Sequence, residues 1–138
     1  MGFRLVIKGA EEIKLEETDI ETVGYITDSP DGSNAKATDY GCQLTISGKI
    51  LKEKAAETLK LGKWSLVPAE KADAYREVVL QVVAESQVVR EIKLPNAFIV
   101  DYLEDYGHKE GIGEFKVVLK QKKDFNSKVQ ILGGYSAE

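Results

Sequence analysis

The sequence contains one cysteine, one histidine, one tryptophan and three prolines among 138 residues. The lone Cys42 excludes an internal disulfide and fits a reducing compartment. Cys42 and His108 together cannot supply the three or four nitrogen and sulfur ligands of a zinc site, and no His-Glu-x-x-His run occurs. A Gly-x-Ser-x-Gly elbow and a Walker A loop are both missing. Gly111-Ile112-Gly113 lacks the third glycine and the strand-to-helix setting of a dinucleotide fingerprint. Long apolar runs are missing too. Runs such as Val78-Val79-Leu80 and Val82-Val83-Ala84 fall far short of the roughly 20 residues of a membrane-spanning helix. Met1-Gly2-Phe3-Arg4-Leu5 carries one positive charge and no apolar core, so no signal peptide is expected, and Val6 breaks the myristoylation pattern. A net charge of -4 argues against wholesale nucleic-acid binding.

What is present is a folded, soluble composition, with 43% hydrophobic and 30% charged residues. The length suits one domain spanning 1–138, and no linker, repeat or low-complexity tract divides it. Most of the chain reads as strands. Phe3–Lys8 alternates, and 19–27 is rich in β-branched and aromatic residues. In 42–50, Cys42, Leu44, Ile46 and Ile50 fall on one face and Gln43, Thr45, Ser47 and Lys49 on the other. That pattern predicts a half-buried antiparallel strand, with Cys42 an inert core thiol rather than a nucleophile. Runs at 75–85 and 88–94 predict a hairpin turning at Ser86-Gln87, and 97–102, 115–122 and 128–132 predict further strands. Residues 53–64 predict a single helix with Ala55, Leu59 and Trp64 as its apolar stripe. Many strands and one helix indicate a mainly β fold, an antiparallel (split) β-barrel with one α-helix at its side.

Few residues invite chemistry. His108 sits in a glycine-rich turn and reads as a solvated residue rather than part of a triad. Asp101, Glu104 and Asp105 read as a solvated strand edge rather than a calcium site. The expectation is no catalysis, no cofactor and no metal. Charge is unevenly distributed. Residues 11–21 carry Glu11, Glu12, Glu16, Glu17, Asp19 and Glu21 against Lys14, while 116–128 carry Lys116, Lys120, Lys122, Lys123 and Lys128 against Asp124. Two solvated faces explain this simply. The sharper reading is opposite patches at different ends of one protomer, steering identical copies head to tail, with Glu16, Glu17, Asp19, Lys116, Lys120 and Lys122 as subunit contacts. Between two good strands runs a polar stretch without periodicity, Ser29-Pro30-Asp31-Gly32-Ser33-Asn34-Ala35-Lys36-Ala37-Thr38-Asp39. It is too long for a hairpin turn, and loops of that length are typically functional or disordered.

The order of these segments resembles a known family. Gln43-Leu-Thr-Ile-Ser-Gly-Lys-Ile50 is followed by a helix ending in Leu61-Gly-Lys-Trp64. Then come Asn96-Ala-Phe-Ile-Val-Asp-Tyr102, a glycine-rich turn and Phe115-Lys-Val-Val-Leu119. Together they resemble the tube proteins of type VI secretion systems, the haemolysin-coregulated-protein group, whose fold is related to phage tail-tube proteins. The whole chain is also similar to small clostridial proteins labelled "membrane-associated protease", although no protease constellation is present.

The tube resemblance implies a β-barrel with one helix that forms hexameric rings stacking into a hollow tube. It makes Ser29–Asp39 the ring-stacking loop, and it makes the chain's partners itself together with sheath, spike or baseplate proteins. Assembly would be cytoplasmic, with export as part of an injection tube. A Gram-positive setting has no outer membrane, which would favour a contractile or phage-derived machine over a type VI system. The alternative is a small barrel that binds a ligand or peptide at its mouth.

Overall fold

The computed structural model describes residues 1–28, 41–107, 113–122 and 128–133. The strands are β1 (Gly2–Lys8), β2 (Ile13–Leu15), β3 (Ile20–Asp28), β4 (Gly41–Ile50), β5 (Arg76–Ala84), β6 (Gln87–Tyr106), β7 (Gly113–Gln121) and β8 (Gln130–Gly133). One helix, α1 (Ala55–Ser65), lies between β4 and β5. The strands form an antiparallel sheet in the order β2-β1-β5-β6-β7-β4-β3, with β8 on β6.

Alternation decides which side closes inward. Leu5 and Ile7 of β1, Cys42, Leu44 and Ile46 of β4, Val78 and Leu80 of β5, and Phe115, Val117 and Leu119 of β7 are all buried and join one core. Every second residue on these strands faces out, so the sheet curls around its apolar side as a barrel-like shell. Cys42 is therefore a core thiol, as its position on the apolar face predicts.

Bulges set the curvature. Between β3 and β4 the register steps two residues on β3, Ile20 to Thr22, against one on β4, Gly48 to Ser47. There the Asp19 carbonyl presses on Gly48 so closely that a Cβ would lie 2.0 Å from it, which explains the glycine.

Four local expectations are corrected. The hairpin turn is Glu85-Ser86, one residue earlier than predicted, because Ala84 pairs with Gln87. Both turn residues have positive φ, 51° and 65°, the conformation that matches strand twist in a two-residue hairpin. Second, Pro95 does not end a strand, since β6 runs through it for 20 residues. Val78 pairs with Leu94 and Arg76 with Ala97, so an extra β6 residue bulges at Pro95-Asn96, where a missing N–H breaks no ladder bond. Third, the acidic stretch contains a strand, β2, whose Ile13 and Leu15 are buried. Fourth, α1 buries Thr58, Leu61 and Trp64, while Ala55 is exposed and Leu59 is 55% exposed. Only Trp64 of the predicted stripe faces the core. Its indole N–H donates to the Ala74 carbonyl at 3.0 Å, and the Arg76 guanidinium stacks 5.0 Å from its ring centroid. These contacts fix the helix turned by about one position from the pattern that the apolar letters suggest.

Candidate assembly surfaces

The acidic stretch divides into exposed and buried members. Glu11, Glu12, Glu16, Glu17 and Glu21 are exposed, whereas Asp19 is fully buried. Asp19 Oδ2 accepts the Glu16 N–H at 2.9 Å, and the Asp19 N–H donates to the Glu16 carbonyl at 2.9 Å. Its own carbonyl accepts the Lys49 N–H at 2.8 Å. Asp19 thus closes the β2–β3 turn and ties it to β4, which removes it from the surface set to which the run of acids assigns it. Glu17 pairs with Arg4 at 3.4 Å, and Glu16 with Lys54 at 3.9 Å. Two open polar clefts flank this region. One, of about 400 Å³, lies between Arg4, Glu17 and the Glu85-Ser86 turn, and the other, of about 450 Å³, between Arg4 and Glu16–Thr18.

The basic stretch is arranged differently. Lys116 and Lys120 are exposed on the outward side of β7, two residues either side of Val118. Lys116 lies beside Ser47 of β4 and Leu103 of β6, and Lys120 beside Gln43 and Phe98. Among the described residues neither forms an ion pair. Lys122 is half-buried, its ammonium 4.7 Å from the centroid of the Tyr75 ring. The acidic turn meets β4 at Gly48–Lys49, five residues from Gln43, or about 17 Å along the strand. Lys120 therefore lies well away from the acids, whereas Lys116, beside Ser47, is close to them. Lys128 is exposed. Lys123, Asp124, His108 and the whole Ser29–Asp39 stretch lie outside the described residues.

The Asp101–Asp105 stretch separates by strand parity. Asp101, Leu103 and Asp105 share one face, and Tyr102, Glu104 and Tyr106 the other. Glu104 accepts hydrogen bonds from both phenols, from Tyr106 at 2.6 Å and from Tyr102. Burial, and then the Glu104 carboxylate, raise the Tyr102 phenol well above its ordinary range. The Glu104 hydrogen bond does the same for Tyr106. Both phenols stay protonated donors, so Glu104 serves as a clip along β6. Sequence reasoning missed this clip, although its i, i+2, i+4 spacing on a strand was readable.

No family model matches the sequence, and no curated protein matches it. Solved structures do match in shape over nearly the whole chain. Hcp1 from Flavobacterium johnsoniae is 16% identical, with a TM-score of 0.58, covering 95% of this chain and 96% of that one. Hcp1 from the E. coli EAEC 042 pathovar is 12% identical, with a TM-score of 0.60, covering 98% and 100%. A chain of the anti-feeding prophage baseplate is 16% identical, with a TM-score of 0.58, covering 96% and 93%. The protein has the fold shared by Hcp1 proteins and by chains of contractile injection assemblies.

Proposed function

We propose that this chain, folding as one unit, is a non-enzymatic structural subunit. It joins copies of itself into rings that stack as the tube of a contractile injection, type VI-like or phage-derived machine. The observation that carries the reading is the end-to-end match in fold to Hcp1 and to chains of the anti-feeding prophage baseplate and the PVC sheath-tube complex. Each match covers at least 95% of this chain. Cys42, the strongest nucleophile in the chain, is enclosed by the core. The rings are six-fold, as in the six-fold symmetrised baseplate of the prophage.

Within this reading Ser29–Asp39 is the contact between stacked rings. Glu16 and Glu17 meet Lys116, Lys120 and Lys122 of a neighbour, and sheath and baseplate proteins are the further partners. Light scattering followed by electron microscopy of the same purified sample tests it, and rings are expected. Deleting 29–39 is expected to leave rings that no longer stack. A protein that stays solitary at every concentration overturns the reading. Unchanged stacking after the deletion overturns the assignment of the loop.

A further inference from the structure

Strand β8 does not start a new sheet edge but resumes an old one. β7 runs antiparallel along one flank of β6, from Tyr106 to Ala97. The opposite flank of β6 is taken by β5. β8 therefore lies on the β7 flank, running in the β7 direction opposite Lys93 to Arg90. β7 and β8 behave as two pieces of one interrupted strand.

The interruption is longer than the gap requires. From Ala97 to Lys93 β6 advances four residues, about 13 Å of strand. From Gln121 to Gln130 the chain has nine residue steps, which reach about 30 Å when extended. The surplus is more than twofold.

β8 is also lightly held. All four residues are exposed, including Ile131 at 47% and Leu132 at 55%. Its seat is nonetheless specific. Gly133 has φ +141°, and a Cβ there would lie 2.4 Å from the Val89 carbonyl, so the strand ends on a glycine-only approach. A specific, thinly buried seat on a long tether is the arrangement in which exchange between identical copies costs least, because the ladder hydrogen bonds broken in cis form again in trans.

We infer that β8 is exchanged between neighbouring copies, the Arg90–Lys93 flank of one protomer taking β8 of the next in the same register. This rests on the self-assembly proposed above and names the element that links the copies. Glu91 and Leu132 are direct partners across the two strands, within reach of a disulfide. Two single variants, Glu91→Cys and Leu132→Cys, are purified separately, mixed, assembled and oxidised, with the buried Cys42 left in place. The double variant is oxidised in parallel. Sedimentation before oxidation reports assembly.

Exchange predicts covalent Glu91→Cys to Leu132→Cys dimers from the mixture, and covalent multimers as the main product of the double variant. Assembled rings whose double variant closes only within its own chain overturn the exchange and leave the assembly reading intact. A solitary protomer overturns both. An absence of any disulfide overturns the seat on which the inference stands.

Discussion

Trp64 joins three elements through one ring. It lies on α1, its N–H holds the Ala74 carbonyl, and its face carries Arg76 at the start of β5. Arg76 in turn donates to the Asp73 carboxylate at 2.6 Å and to the Asp73 carbonyl at 3.1 Å. Trp64→Phe keeps most of the buried area but leaves the Ala74 carbonyl without its donor, at a cost of about 1–3 kcal/mol in urea unfolding. A loss near zero would mean that the hydrogen bond does not persist in solution. The Arg76 hydrogen bond holds the Asp73 carboxyl below its ordinary value, with help from the Ala10 N–H. A folded-state pKa that is depressed adds stability above the unfolded value and loses it as pH falls through the folded one. The stability gap between the wild type and Asp73→Asn is therefore expected to narrow below about pH 4. Parallel curves between pH 6 and that range, continuing unchanged into acid, would refute the assignment.

At the scale of elements, the strands whose alternation is clean were legible. β1, β4 and β7 lie within about two residues of their predicted bounds because one face is uniformly apolar. β2 was not legible, since three residues between acids give no period to read. The helix was located but turned the wrong way. Leu59 looks like a core residue by type, yet the ties at Trp64 place Leu61 and Thr58 inside instead. Asp19 was misassigned for a similar reason: charge type suggested the surface, whereas a turn needed its carboxylate.

The β5–β6 hairpin gives the element-scale prediction. Glu85 and Ser86 both occupy the left-handed region that Asn and Gly tolerate best. The double substitution Glu85→Asn, Ser86→Gly is expected to stabilise by about 1 kcal/mol, read as a higher urea midpoint at unchanged slope. A lower midpoint would place the turn elsewhere.

For the whole molecule, the consequential asymmetry is between paired acids and unpaired lysines. Glu16 and Glu17 each have a cation of their own chain, whereas Lys116 and Lys120 have no ion pair among the described residues. If those lysines meet acids of a neighbour, raising salt from about 50 to about 500 mM shortens the screening length and weakens assembly. Lys116→Glu with Lys120→Glu is expected to reduce the assembled fraction in sedimentation at low salt. Adding Glu16→Lys and Glu17→Lys is expected to restore it. Assembly indifferent to both salt and reversal would leave those lysines as solvated side chains. Fold class was legible at this scale from element order alone, but the partner of each patch was not, because charge along a chain does not report which faces meet.

β6 serves β5, β7 and β8 at once, and its parity decides which letters face oil and which face water. A single inserted codon within 90–94 would turn every later side chain inside out as far as the next irregularity. Only around Val89, Pro95-Asn96 and Val100, where the ladder already slips a step, can such an error be absorbed. Descendants of this gene should therefore vary freely in spelling along the long strand while changing its length at those three places alone.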